Sequence, residues 1–364
     1  AETPMIGLIS RLTHQKGCDL IVSIIDRLLQ KDIQFVVLGT GDYWYEETFK
    51  NLQYRYPDKV SANIKFDNSI KVIVLGRNIE KAKSRFENYF KSEFFKFYQC
   101  DINDSINVSE ECDYVIHAAS NTHPIAYATD PVGTITANIL GTKNLLDFAV
   151  NQKNCKFVFL SSVEIYGENK GDVDKFTEDY CGYINCNTLR AGYPESKRTG
   201  EALCQAYIKK YGLGIVIPRL SRVYGPTMLE SDSKAIAQFI HKAVNREDIV
   251  LKSDGEQLFS YAYVGDAVMG ILYCMLYGEN GGAYNIADYN SEIRLKDLAK
   301  ILADLSQTNV IFDVPDAVEK SGYSTATKAV MNNDKVTKLG WKAKTNMRDG
   351  LKNTVRIFGE KKNV

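Results

Sequence analysis

Tyr193 and Lys197 stand four residues apart, and Ser162 lies some thirty residues upstream at the end of the apolar run 156–160. A phenol and an ammonium at that spacing share one face of a helix, where the cation can stabilise a phenolate. A hydroxyl at the end of the preceding strand can reach the same substrate oxygen, which is equipment for moving a proton alongside a hydride. A tyrosine in water has a pKa near 10, so acting as a base at neutral pH requires lowering it by about three units, or about 4 kcal/mol. With 22 tyrosines in a lysine-rich chain, a Tyr four residues before a Lys arises by chance about once or twice. The surroundings single this pair out. A strand precedes the Tyr193 helix and another strand follows Lys197 by a helix length, so the three groups can converge at one sheet edge.

The elements that must position them alternate. Strand patterns fall at 5–9, 35–38, 60–64, 71–75, 94–101, 114–119, 156–162 and 214–220, and helix patterns at 19–29, 43–54, 79–90, 131–150 and 193–211. Strands alternating with helices predict an α/β chain with a parallel, doubly wound, Rossmann-like sheet. Beyond Gly225 the spacing loosens. A smaller mixed region with helices near 234–245, 264–277 and 295–304 is expected over the carboxyl edge of the sheet, where ligands bind in such folds.

Composition narrows the function classes. The 364 residues carry 45 basic and 45 acidic side chains and 45% hydrophobic residues, a balance that argues against nucleic acid and membrane surfaces as partners and for small molecules. Eight cysteines are scattered without CxxC pairs or metal-ligand spacing, and no signal peptide or bilayer-length apolar run is present, so reduced thiols, no metal and a cytoplasmic location are expected. Ala1 opens almost directly into a strand-like run, and a natural beginning upstream is the corresponding expectation.

From about Ser69 onward the residues resemble the extended short-chain dehydrogenase/reductase family, in its nucleotide-sugar epimerase, dehydratase and decarboxylase branch. The resemblance is carried by Asp101-Ile102, His117-Ala118-Ala119-Ser120, Asn138 within 136–142, the set Ser162, Tyr193 and Lys197, the run 219–226, and Asp254-Gly255-Glu256-Gln257 followed by Tyr263-Val264-Gly265-Asp266. It implies NAD or NADP as cofactor, a nucleotide-sugar substrate and a homodimer built through the helices at 131–150 and 193–211. It also implies that Asp101 and Ile102 meet the adenine edge, that Ala118 and Ala119 pass under the cofactor, that Asn138 props the lysine, and that Tyr193 and Lys197 hold the nicotinamide ribose. Read alone, Asn138 is equally an intrahelical hydrogen-bonder and Asp101 a strand-end turn acid. Glu164 resembles the glutamate that assists at C5 or orients a uronate in dehydratase and decarboxylase relatives; an exposed loop carboxylate is the alternative. Val163 stands where hexose 4,6-dehydratases carry an aspartic general acid, which disfavours water elimination.

Three departures matter. Leu258 and Phe259 occupy the position of a family arginine that grips the diphosphate, which transfers that task to another cation, Arg222 or Arg246. The family's NAD-selective acid is replaced by Gly76-Arg77-Asn78, so Arg77 either meets a 2′-phosphate or is a surface arginine. The glycine-rich first βα turn is absent before Lys71; Gly39-Thr40-Gly41-Asp42 is the nearest candidate, with bulky aromatics after it.

Residues 4–67 instead resemble the start of the C-terminal domain of bacterial glycogen/starch synthases, with 9–17 (Ile-Ser-Arg-Leu-Thr-His-Gln-Lys-Gly) matching a phosphate loop in which Arg11 and Lys16 grip the sugar-nucleotide diphosphate. A solvated turn is the alternative for that pair. The expected division is therefore 1–68 synthase-like, 69–225 Rossmann-like and 226–364 substrate-binding, with the first piece covering the edge left by the missing strand. Three readings follow: an enzyme oxidising a nucleotide sugar transiently at C4, an ADP-glucose-dependent glucosyltransferase fragment, and a catalytically silent chimera.

Overall fold

The structure is a computed structural model of the chain. It describes residues 4–9, 12–14, 17–39, 41–63, 70–122, 129–313 and 327–362. Two compact units result, Ala1–Gln99 and Cys100–Val364.

In the first unit β1 (Met5–Ile9), β2 (Gln34–Leu38) and β3 (Val60–Asn63) form a parallel sheet in that order. Helices Cys18–Leu28 and Tyr43–Arg55 make the crossovers. Their apolar stripes close a core of Leu12, Ile25, Phe35, Val37, Phe49 and Leu52, with Phe35 and Val37 projecting from the same face of β2. A second parallel pair, β4 (Val72–Gly76) with β5 (Phe95–Gln99), belongs to the same unit. The helix expected over 79–90 stops at Arg85. Beyond it the rings of Phe86, Tyr89 and Phe90 turn onto Phe95, at centroid distances of 5.3, 6.4 and 5.3 Å. Ring contacts with Phe95 there replace the remaining helical hydrogen bonds.

The second unit is built on a parallel sheet ordered β13 (Ala283–Ile286), β9 (Gly214–Leu220), β7 (Lys156–Phe159) and β6 (Tyr114–His117). β8 (Ser161–Ser162) continues along β9. Phe157, Val158 and Phe159, like Ile215, Val216 and Ile217, are all buried, the continuous apolar pattern of strands covered on both faces. The helix expected over 131–150 is three segments: Pro131–Thr136, a π-turn at Ala137–Gly141, and Thr142–Val150. Helix Gly192–Tyr211 lies so close to β7 that a Cβ on Gly200 would come within 2.4 Å of the Phe159 ring.

The mixed C-terminal region has β10 (Arg222–Tyr224) beside β12 (Leu258–Tyr263), which also pairs with β14 (Glu292–Arg294) and β16 (Lys328–Ala329). β11 (Ile249–Leu251) pairs with β15 (Val310–Phe312). Helices Ala235–Asn245, Leu295–Ser306 and Met347–Lys362 pack around Phe239, Tyr261, Leu298, Leu302 and Leu351. The helix Val264–Tyr277 is tied to the chain after it: the Asp266 carboxylate accepts from the amides of Lys344 and Thr345, and its carbonyl accepts from the Trp341 indole at 3.0 Å. Asp266, the last residue of the 263–266 run singled out in the sequence, therefore anchors the C-terminal segment. Among the described residues no helix is long and apolar enough to cross a membrane, and all eight cysteines are free thiols.

Candidate active site

The break between β7 and β8 falls at Leu160 and frees its carbonyl from the sheet ladder. The Lys197 ammonium donates to that carbonyl at 2.9 Å and lies 4.9 Å above the Phe159 ring. Lys197 is only 3% exposed, and burial lowers its pKa to about 8, Glu201 pulling the other way. An ammonium held with one acceptor and a ring face retains donors for a ligand.

One helical turn before it, the Tyr193 phenol is buried and hydrogen-bonds the Ser162 side chain. Burial above all, then the Glu164 charge, holds the phenol above its ordinary pKa, while the Ser162 bond pulls it back. Ser162 itself caps the 3-10 turn Val163–Tyr166, accepting from the Glu164 amide at 3.2 Å. That turn swings the Glu164 side chain to within 3.9 Å of the Arg190 guanidinium. Glu164 also acts electrostatically on Arg222, whose guanidinium lies 3.6 Å from the centre of the Phe259 ring. Ser162, Glu164, Tyr193 and Lys197 are thus gathered at the carboxyl end of β7 and β8, with Arg190 3.9 Å from the Glu164 carboxylate and Arg222 within its electrostatic reach. Arg190 carries no motif of its own; its place three residues before Tyr193, at the mouth of the helix, is the only clue in the sequence.

Behind the lysine lies a column of buried polar groups. The Asn138 amide, on the π-turn, donates to the Ser196 hydroxyl at 2.9 Å, and Ser196 donates to the Tyr193 carbonyl at 2.9 Å, tying the π-turn to the first turn of the Tyr193 helix. Thr142 gives its hydroxyl proton to the Asn138 carbonyl, so the 2.9 Å contact with His117 is a donation from His117 Nε2. Burial, then the Lys197 charge, lowers the His117 pKa to about 3. His117 Nδ1 and Asn138 Oδ1 remain as buried acceptors without a donor among the described residues.

The other expected positions are more scattered. The Asp101 carboxylate accepts from the Asn103 amide at 2.9 Å, and Ile102 seats against Gly141, where a Cβ would come within 2.3 Å of its side chain. Asn144 donates to the Ile102 carbonyl at 2.9 Å, so this turn is clamped to the π-turn helix. Ala118 and Ala119 are exposed in the loop after β6. Arg77 is exposed after β4, in the first unit, its carbonyl accepting from Gln99. Arg246 caps helix Ala235–Asn245, exposed and left-handed with φ 55°. Arg11 and Lys16 lie outside the described residues.

The groups around Tyr193 fit the nicotinamide-ribose end of a dinucleotide: a buried ammonium with spare donors, a phenol and unfilled acceptors. The Gly39–Asp42 turn does not fit its pyrophosphate end. The Gly41 amide donates to the Glu46 carboxylate at 2.8 Å, and a Cβ there would come within 2.2 Å of the Leu12 carbonyl. That glycine is explained by close backbone approach, and its donor is already taken by an anion.

The profile of the NAD dependent epimerase/dehydratase family matches residues 62–287. UDP-glucuronic acid decarboxylase 2 of Arabidopsis thaliana is 28% identical over 296 residues, covering 80% of this chain and 64% of that protein, so the chain spans under two thirds of its length. Decarboxylase 6 of the same plant is 30% identical over 298 residues, covering 81% and 82%. Among solved structures, a UDP-glucuronic acid 4-epimerase from Bacillus cereus, in complex with UDP-glucuronic acid and NAD, superposes with a TM-score of 0.69 at 20% identity over 81% of this chain and 92% of that one. The dTDP-glucose 4,6-dehydratase DesIV from Streptomyces venezuelae gives 0.68 at 24% identity, over 86% and 92%. These likenesses carry the Rossmann-like α/β fold, and the extent of the profile match carries the kinship. The chain belongs to the NAD dependent epimerase/dehydratase family.

Proposed function

We propose that the chain acts on a nucleotide sugar by transient oxidation at C4, with NAD or NADP as the redox partner. The observation that carries this reading is the hydrogen bond between Ser162 and Tyr193 beside the buried Lys197. Bound nicotinamide would supply the hydride acceptor and, oxidised, a positive charge near the phenol. Tyr193, raised in pKa by its burial, takes the C4 hydroxyl proton once that charge offsets Glu164; Ser162 hydrogen-bonds the same oxygen, and Lys197 donates to the ribose. A ketone at C4 makes a C5 proton or C5 carboxylate labile, and Glu164, steered by Arg190, is the group available there. With the decarboxylase relatives this favours an acidic sugar, whose carboxylate leaves as CO2 while C5 takes a proton. The buried aliphatic Val163 offers no proton for water loss.

Tyr193→Phe is the test. Turnover of UDP-glucuronate with NAD should vanish while the far-ultraviolet circular dichroism is unchanged; full activity in this variant sinks the assignment. The same reading carries Asp101, Ile102, Ala118, Ala119 and Asn138 as cofactor neighbours, Arg77 as the group that would favour NADP, Arg222 and Arg246 as substrate cations, and a homodimer through the helices at 131–150 and 193–211. It treats 1–68 as a synthase-like piece joined to a Rossmann-like part, 69–225, and a substrate region, 226–364. Support for the first piece is the agreement of its residues with the synthase loop and its self-sufficient β1–β3 core.

A further inference from the structure

Two adjacent residues of helix Gly192–Tyr211 reach back to the segment that carries Ser162 and Glu164. Lys197 holds its start, donating to the Leu160 carbonyl at 2.9 Å. Arg198 holds its end: Nε donates to the Ile165 carbonyl at 2.7 Å and Nη2 to the Gly182 carbonyl at 2.8 Å, with the Glu195 carboxylate 3.4 Å from Nη1. A guanidinium serves two carbonyls at once because its N–H groups diverge in one fixed plane, which a lysine ammonium does not reproduce. The Gly182 amide in turn donates to the Tyr166 carbonyl at 3.0 Å and the Glu168 amide to the Tyr183 carbonyl at 2.9 Å, so the loop that follows the 3-10 turn folds back and closes against it. The closure is tight, and a Cβ on Gly182 would collide with the Tyr166 carbonyl oxygen.

Ser162 has a support of its own, since β8 pairs with β9 and sets Ser162 opposite Leu220. The far end of the turn is tied to the sheet as well: the Tyr166 phenol donates to Asn285 Oδ1 at 2.6 Å and accepts from Arg219 at 3.0 Å. Between these anchors, Arg198 joins the residue after Glu164 to the helix of Tyr193. We propose that Arg198 is a positioning residue for the step at C5: through the Ile165 and Gly182 carbonyls it sets where the Glu164 carboxylate stands relative to the Tyr193 phenol. The inference rests on the C4-oxidation reading above and adds to it that the two stages have separate supports, the sheet for Ser162 and the Arg198 clamp for Glu164. Loosening the clamp therefore spares removal of hydride and proton at C4 and slows the loss of CO2 and the return of a proton at C5.

The test separates the two stages. The chain, loaded with NAD or NADP, is mixed rapidly with UDP-glucuronate; nicotinamide reduction is read from its near-ultraviolet absorbance and decarboxylation from the release of labelled CO2. Arg198→Gln should reduce nicotinamide at close to the parent rate but release CO2 up to about 100-fold more slowly, the loss expected of a misplacement near 1 Å, so that reduced nicotinamide accumulates. Arg198→Lys, able to keep one of the two carbonyl contacts, should fall between. Gly182→Ala keeps the arginine and pushes the loop off the turn, and it should show the same split with no charge removed; together with Arg198→Lys it decides the matter if Arg198→Gln does not fold. Unchanged CO2 release in these variants, or an equal loss of both stages, overturns the inference and leaves the Tyr193 chemistry standing. Reduction without CO2 release in the unsubstituted chain also overturns the inference alone. Absence of reduction in the unsubstituted chain overturns the C4-oxidation reading and this inference with it.

Discussion

Replacing Gly200 by alanine sets two opposed effects against each other. Glycine inside a helix costs about 1 kcal/mol relative to alanine, so propensity alone predicts stabilisation. The added methyl, however, would lie 2.4, 2.9 and 3.2 Å from three atoms of the Phe159 ring, against ordinary contacts of 3.4 Å or more. Phe159 is fully buried in β7, so the ring cannot swing clear, and helix Gly192–Tyr211 must lift by about 1 Å. Overpacking of that kind costs about 1–3 kcal/mol. With the ring also held against the Lys197 ammonium of the same helix, the upper half of that range applies, and the net expectation is a loss of about 1–2 kcal/mol. The same lift displaces Tyr193 and Lys197 from Ser162 and Leu160, and a shift of that size is expected to reduce kcat by about 100-fold. Gly359→Ala is the control: it lies in helix Met347–Lys362 with nothing within 4 Å of its added carbon and should stabilise by about 0.5–1 kcal/mol. Urea unfolding followed by Trp341, buried in the second unit, reads both variants. If Gly200→Ala is as stable as Gly359→Ala and turns over normally, the close approach of helix and strand is not what positions the pair.

Two further outcomes follow from buried charges. His117 takes its proton at about pH 3 in the folded chain, against 6.5 unfolded, so the unfolded state binds more protons across that window and stability should fall as pH drops below about 6.5; urea midpoints between pH 7 and 4 should show this slope, and His117→Gln should flatten it. Glu201→Gln removes the anion that meets Arg219 Nε at 3.0 Å and Nη2 at 2.7 Å, both partners being at most 13% exposed, and should cost about 3 kcal/mol; a loss under about 1 kcal/mol would mean that Tyr166 and the Glu178 carbonyl satisfy Arg219 by themselves.

The parallel sheet is legible because β7 and β9 each carry a continuous apolar run, 157–159 and 215–218, and the meeting of Ser162 with Tyr193 follows from where strand and helix must end. Local pattern could not show where the Lys197 ammonium goes, since that depends on a break at Leu160 inside a run that reads as one strand. The stack of Arg222 on Phe259 depends on the register of β10 against β12, a contact between segments more than thirty residues apart. Arg190 is silent in the sequence for the same reason: its partner, Glu164, is reached only after the 3-10 turn folds back. The Gly39–Asp42 turn looked like a weak phosphate loop because glycine spacing alone does not distinguish a ligand's approach from that of Leu12. Periodicity carries the helix at 79–90 past Arg85 because it ignores the contacts of Phe95 with three nearby rings.

The π-turn at Ala137–Gly141 solves a problem of phase. Thr134, Asn138 and Thr142 recur every four residues, and over eight residues of ordinary α-helix such a series drifts about 80° around the axis. A wider turn in the middle absorbs much of that rotation, and all three side chains stay buried on one line, reaching Asn121, Ser196 and His117 in succession. The extra residue works as a vernier: were the same eight residues wound as ordinary α-helix, Thr134 would swing about 80° out of line with Thr142, unthreading the polar column that stands behind Lys197.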